Sequence, residues 1–281
     1  MIFLIFLNII MKAYLSFLFL FFTSSGLIAQ EYIPTLYAHR GGAYELDENT
    51  LSAFETSYNH GLRGFETDVH LTKDNQIVII HDHTLDRTMQ GSGTVENFTA
   101  AELKAIKTKN GNAILFLDEA LEFFNQHPNL YVEFEMKTKT DHYNDAVLQK
   151  FADQLYQKVF KNKPNSSTYL ITSFDKRPLS YLKKTYNTND LLYITSQPLS
   201  DDVLNEAQNL GINRIGCNIG GTNRTAVKKA QEQGFVISVW PGKTIDDFVL
   251  GYSLGADYLC SDVPLQVYTF LKNKATWIKF K

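Results

Sequence analysis

The feature that most constrains this chain is a change of period that recurs eight times. From residue 35 onward, short β-branched or aromatic runs alternate with longer stretches whose apolar residues recur at helical spacing. The short runs predict strands over 35–39, 64–69, 130–136, 169–173, 191–195, 213–218, 235–240 and 257–261. The longer stretches predict helices over 50–60, 117–125, 145–160, 176–184, 201–210, 224–233, 245–254 and 265–272. Asp175, Ser200, Thr222 and Thr244 stand where N-caps belong, and Gly61, Gly211, Gly234 and Gly255 follow helical stretches. Eight β-α alternations in about 250 residues fit an α/β chain of the (β/α)8 TIM-barrel type, with a doubly wound open sheet as the rival.

One connection breaks the rhythm. Residues 70–116 separate the second strand from its helix, far more than the roughly 2–6 residues such a connection usually takes. Within it Ile77–His81 reads as an extra strand. Residues 99–106 read as a short helix, with Glu102 placed three residues after Thr99 as a capping box requires. The stretch is expected to be an insertion over the barrel mouth within a single domain spanning 30–281. Its apolar residues Phe98, Leu103, Ile106, Leu115 and Phe116 are expected to pack inward rather than to meet lipid.

The N-terminus is of another character. Residues 1–28 are almost continuously apolar, with Lys12 as the one charge. A start at Met11 gives a compact signal peptide, with Ala29 at the cleavage point before Gln30. Residues 1–29 are therefore expected to direct export, to a periplasm or to the medium. A retained anchor is the alternative, because the run is long enough to span a bilayer. No later segment approaches a second span, so no stable membrane insertion is expected once the signal is removed. A net charge of −3 gives the whole molecule no nucleic-acid footprint. Two cysteines, Cys217 and Cys260, are too few for a disulfide scaffold and are expected as buried free thiols.

In such a barrel, chemistry gathers at the C-terminal strand ends. His39 and Arg40 end the first predicted strand, Glu66 and Asp68 the second, Glu133, Glu135 and Lys137 the third, and Trp240 the seventh. Glu66 and Asp68 are two apart and so share one strand face. Two inward carboxylates are costly unless a cation joins them. Hard oxygen donors, with Glu135 as a third, favour Mg²⁺ or Ca²⁺. His39 and His81 are the candidate proton-transfer groups, with His83 a weaker substitute. His60, His127 and His142 are expected to be structural. Asp82 stands beside His81, although neighbours on a strand face opposite ways. Arg40 offers a planar fork for phosphate, or else an ion pair with Glu66 or Glu48. Gly41 and Gly42 permit close backbone approach, and Lys137 supplies a second positive charge. This inventory suits hydrolysis of a phosphodiester.

In order along the chain, His39-Arg40-Gly41, Glu48-Asn49-Thr50, Glu66-Thr67-Asp68-Val69, His81-Asp82 with Leu85-Asp86-Arg87-Thr88, Glu135-Met136-Lys137, Gly255-Ala256-Asp257 and Ser261-Asp262-Val263-Pro264 resemble the glycerophosphodiester phosphodiesterase family. The likeness covers about residues 35–270. It implies a metal-dependent (β/α)8 barrel with an insertion after the second strand. It implies Glu66, Asp68 and Glu135 as ligands of a divalent metal, Ca²⁺ or Mg²⁺, and His39 and His81 as the acid–base pair. Arg40 and Lys137 fall on the phosphate, Glu48 on a ligand or positioning role, and Trp240 near the substrate's glycerol. The family's usual proline before Glu-Asn-Thr is Asp47 here, and Trp240 is followed by Pro241-Gly242-Lys243 rather than Thr-x-Asn.

The expected reaction splits a glycerophosphodiester into sn-glycerol 3-phosphate and an alcohol, with His81 as acid and His39 as base. The nucleophile is water or the substrate's own glycerol hydroxyl. Competing readings are a phospholipase C- or sphingomyelinase D-like enzyme acting on intact lipid, and a non-catalytic barrel that binds glycerol phosphate. A glycosidase built on paired carboxylates would leave Arg40, Lys137 and both histidines without a role.

Overall fold

A computed structural model describes residues 32–281. The expected signal segment, residues 1–29 with its alternative start at Met11, lies outside the described residues. The strands are β1 Thr35–Ala38, β2 Gly64–Leu71, β3 Ile77–Ile79, β4 Leu115–Phe116, β5 Tyr131–Met136, β6 Thr168–Ser173, β7 Leu191–Pro198, β8 Arg214–Asn218, β9 Val236–Trp240 and β10 Tyr258–Ser261. The helices are α1 Leu51–His60, α2 Ala100–Lys104, α3 Leu117–Gln126, α4 Asp145–Lys161, α5 Lys176–Tyr186, α6 Asp201–Leu210, α7 Arg224–Glu232, α8 Ile245–Leu254 and α9 Pro264–Asn273. Parallel pairing runs β1-β2-β5-β6-β7-β8-β9-β10, and β10 returns to β1, so the sheet closes into the expected (β/α)8 barrel. Among the described residues no helix is long and apolar enough to cross a membrane.

Closure depends on Gly64. A Cβ there would lie 2.6 Å from the Leu36 carbonyl oxygen and from the Tyr37 Cβ, so β1 and β2 pair only over a glycine. β2 then outruns the barrel. Its residues Gly64–Val69 pair with β5, while Val69–Leu71 turn to antiparallel pairing with β3, which carries β4 in turn. The long connection after the second strand is therefore an antiparallel extension of β2.

Side-chain caps explain the helix starts. Thr50, Asn144, Asp175, Ser200, Asn223 and Thr244 each accept a hydrogen bond from the first turn of their helix. Thr99 and Glu102 form the expected capping box ahead of α2. Thr222 does not cap α7. Its hydroxyl donates to the Asn218 carbonyl at 2.6 Å and accepts from Leu199 N–H, leaving Asn223 to cap. Strand 35–39 ends one residue early, at Ala38, because Arg40, Gly41 and Gly42 take φ of 53°, 82° and 125° and bend the chain. Strand 77–81 stops at Ile79, freeing His81 into a loop. β4, two residues long, falls below the length at which a period is visible.

The main core lies between barrel and helices. The extension has its own apolar cluster, in which Leu103 and Phe116 are buried and Phe98 and Ile106 pack against them, while buried Leu115 joins the main core. The insertion's apolar residues are thus turned inward. Asp47, where a proline is usual, accepts from Thr108 Oγ1, Asn110 and Asn112 at 2.5–3.2 Å and ties the extension to the loop before α1. Cys217 and Cys260 are buried and free.

Inside the barrel, below its mouth, Tyr131 stacks on Tyr258 and its hydroxyl donates to Glu133. Burial pushes the Glu133 carboxyl up to about 7, against that hydrogen bond and with help from Glu135. The native state therefore holds a proton that the unfolded chain has lost, and stability falls as pH rises from about 4.3 toward 7. Glu133→Gln is expected to stabilise the chelator-treated protein at about pH 8, by on the order of 2 kcal/mol, with the gain shrinking toward pH 5. Urea unfolding across that range measures it. An equal gain at both ends would show that Glu133 does not titrate there.

Candidate active site

The C-terminal strand ends enclose a cavity of about 270 Å³ lined by His39, Arg40, Glu66, His81, Glu135, Lys137 and Trp240. Tyr37, Leu192, Ile194 and Cys260 also line it, and Phe174 closes one side. Asp68, fully buried, stands directly behind Glu66 and Lys137.

The acids come together because β2 and β5 are in register. Glu66 pairs with Glu133 and Asp68 with Glu135. Oxygens of Glu66, Asp68 and Glu135 lie within 4.8 Å of one another, and all three residues are buried. The Lys137 ammonium sits 2.9 Å from Asp68 and 2.5 Å from Glu135. Burial by itself would lower the Lys137 pKa, but Asp68, Glu135 and Glu66 outweigh it and hold the amine charged. Burial would raise Asp68, yet Lys137, the two histidines and Arg40 keep it ionised. Glu66 goes the other way: burial, Asp68 and Glu135 push its carboxyl well above the ordinary value. Its Oε1 is buried with no hydrogen-bond partner. A crowded carboxylate trio with an unsatisfied inner oxygen is a donor set that a hard divalent cation fits.

His39 and Arg40 ride the left-handed turn after β1. The Arg40 N–H donates to Glu66 Oε2 at 3.1 Å, its guanidinium meets Glu48 at 3.1 Å, and its Nε stands 3.5 Å from Asp68. His39 Nδ1 faces the Asp262 carboxylate and so carries the hydrogen. Its Nε2 is then free to accept, 3.7 Å from Glu66 Oε2. Asp262 is fixed by its own backbone, whose N–H donates to the Gly242 carbonyl and whose carbonyl accepts from Tyr44.

His81 is held from two sides. Its Nδ1 faces Asp82 at 2.7 Å, which is possible for adjacent residues because both are in a loop. Its carbonyl accepts from buried His70, whose other nitrogen meets Glu96 of the extension. Arg87 grips Asp82 at 2.6 Å and Glu48 at 2.7 Å. Glu48 therefore sits between two guanidiniums and links the His39 turn to the His81 loop; the close acid trio does not include it. Trp240 ends β9, half-buried, edge-on to Phe174 at 5.3 Å. His83 is exposed, and His60 and His127 bond to Thr269 and the Phe123 carbonyl, away from this mouth.

Several residues of the site carry no role in the sequence reading. Asn49, at φ 60°, donates to Asp68 at 2.8 Å and accepts from Thr67. Asp262, Arg87 and His70 are of the same kind. Asp262 directly follows β10, at a predicted strand end like those that drew attention to Glu66 and Asp68, and that position was the available signal. Nothing in the local sequence marks His70 or Phe174.

Residues 39–266 match the glycerophosphoryl diester phosphodiesterase family. A glycerophosphodiester phosphodiesterase of Caldanaerobacter subterraneus is 33% identical over 153 residues, which is 52% of this chain and 60% of that protein. One from Bacillus altitudinis is 29% identical over 167 residues, 57% of this chain and 66% of that protein. The chain thus spans just under two thirds of the length of these two relatives. An Oleispira antarctica phosphodiesterase, solved in complex with the product sn-glycerol-3-phosphate, has a TM-score of 0.77 at 21% identity and covers 86% of this chain and 98% of its own. That likeness is one of fold. Because the match runs from His39 into α9, well over half of the chain, the chain belongs to the glycerophosphoryl diester phosphodiesterase family.

Proposed function

We propose that this protein hydrolyses soluble glycerophosphodiesters to sn-glycerol 3-phosphate and an alcohol, with His39 as general base and His81 as general acid. One observation carries the reading. Two carboxylate-oriented imidazoles line a single cavity with Glu66, Glu135, a guanidinium and an ammonium, and Asp68 completes the buried acid trio beside them. The family named above and the inward-turned apolar residues of the extension support soluble diesters over intact lipid.

Charge matching supports the same reading. With Glu66 ionised, as cation binding would require, Glu66, Asp68 and Glu135 set three negative charges against the two positive charges of Arg40 and Lys137. A divalent cation on the trio would leave a single positive charge, the complement of a phosphodiester's single negative one. Glu66, Asp68 and Glu135 are the residues that would hold it, as Ca²⁺ or Mg²⁺, and when bound it supplies Lewis-acid polarisation of a phosphoryl oxygen. Arg40 and Lys137 face the non-bridging oxygens, where charge grows during displacement. His39 Nε2 takes the proton of the attacking hydroxyl, from water or from the substrate's own glycerol; the second route gives a cyclic phosphate, which a water then opens to sn-glycerol 3-phosphate. The new oxygen–phosphorus bond forms as the bond to the alcohol breaks, and His81 gives its proton to the departing oxygen. Trp240 flanks the glycerol side.

Replacing His39 or His81 by Ala is expected to cut glycerophosphodiester turnover roughly 10²- to 10⁴-fold. A loss of only a few-fold in either variant contradicts its proton-transfer role. The pH profile carries a direction. Burial holds the His81 pKa below the ordinary histidine value; Lys137 and Arg40 add to this, and Asp68 and Asp82 oppose it without prevailing. A bound phosphodiester anion offsets Lys137 and Arg40 and so raises that pKa. An acid is lost as pH rises through its pKa, so the alkaline limb of kcat is expected at higher pH than the alkaline limb of kcat/KM. Coincident limbs argue against His81 as the acid.

Cation binding must expel the proton that burial and its neighbours keep on Glu66. Affinity for Ca²⁺ or Mg²⁺, by calorimetry, is expected to rise with pH and to show proton release in buffers of differing ionisation enthalpy. Glu66→Gln is expected to remove the thermal shift the ions cause. Full activity after exhaustive chelation and dialysis removes the cation from the scheme.

A further inference from the structure

Beside the catalytic cavity lies a second, larger one of about 530 Å³, formed by the loop after β3, the chain after β5 and the end of β6. His81, Glu135, Lys137 and Phe174 line both, whereas His39 and Arg40 line the inner one alone. Displacement at phosphorus is in line, so the attacking and departing oxygens lie on opposite sides of the phosphoryl group. With the base His39 confined to the inner cavity and the acid His81 at the junction, the departing alcohol lies outward. We propose that the outer cavity is the leaving-alcohol subsite and that it favours alcohols carrying negative charge over a quaternary ammonium such as choline. The proposal rests on the phosphodiesterase reading of the inner site.

The lining supports it in three ways. Each carboxylate of the outer cavity is already ion-paired: Asp82 with Arg87, which Glu48 shares, Asp175 with Arg177, and Glu135 with Lys137, which Asp68 shares. Lys139 is exposed and, among the described residues, has no carboxylate within ion-pair distance, so its ammonium is a cation of the lining that no carboxylate neutralises. The face of Phe174, the phenyl ring of this cavity, is taken by Lys139 at 5.3 Å and Lys137 at 5.9 Å. A quaternary ammonium needs an open aromatic face, and these ammonium groups repel it instead. Thr140 Oγ1 is buried without a partner and is free to bond an oxygen of the alcohol.

The test is kcat/KM on three soluble diesters that share the glycerol phosphate half and differ in the alcohol: choline, glycerol, and glycerol phosphate. The expected order is glycerol phosphate above glycerol above choline, narrowing as salt screens the exposed charge. Lys139→Ala is expected to lower the glycerol phosphate-to-choline ratio about threefold to fivefold, Lys139→Glu further, and Lys139→Arg to restore it. A wild-type preference for choline, or the same ratio in Lys139→Glu as in wild type, overturns the subsite while leaving the phosphodiesterase reading in place. If the wild-type protein hydrolyses none of the three, that reading falls and the subsite with it.

Discussion

Three buried carboxylates within 4.8 Å of one another are the constraint around which this molecule is arranged. Like charges at such spacing in a low-dielectric interior repel strongly. Parallel register between β2 and β5 forces the contact, since Asp68 and Glu135 are Cα partners across the ladder. What surrounds them reads as compensation. Lys137 bridges two of them, Arg40 approaches from the β1 turn, Asn49 donates to Asp68, and Glu66 gives up part of its ionisation. A site so built is primed for a cation and, with it, for an anion.

The same compensation couples the two histidines. Arg40 is shared between Asp68 and Glu48, Glu48 between Arg40 and Arg87, and Arg87 between Glu48 and Asp82, which orients His81. His39 joins from the other side through Glu66 and Asp262. No single bond in this chain need be strong. The more exposed Arg87 pairs are weak individually because solvent screens them. Their joint effect is geometric: the His81 loop cannot move without disturbing the guanidinium next to His39.

Much of this was legible in the sequence, for identifiable reasons. Glu66 and Asp68 announce a shared face through period two, and the eightfold alternation announces the barrel. Glycines after helices and Asp175, Ser200 and Thr244 before them mark their ends. Partnerships between distant loops were not legible. Asp262 lies 223 residues from His39 in the chain, and Asp47 reaches Thr108 across 61. Such contacts depend on closure of the whole barrel and leave no local period. Thr222 shows the limit at short range, because two adjacent residues could both cap and only the fold decides that Thr222 serves Leu199 and Asn218 instead.

The extension follows from the same logic. His39 can be set by a barrel strand, because β1 ends beside β2. Across the cavity from His39, the β5 and β6 ends carry Lys137 and Phe174. Prolonging β2 past the rim and folding it back through β3 delivers His81 from above. A group delivered that way is only as well placed as its supports. Hence the extension has its own apolar cluster, the anchor of Asp47 on Thr108, Asn110 and Asn112, and the His70–Glu96 contact beneath the His81 carbonyl. Loops usually tolerate variation because little is packed against them. Here the connection after the second strand has its own packed cluster, a capped helix and ion pairs, which together hold the His81 loop over the cavity.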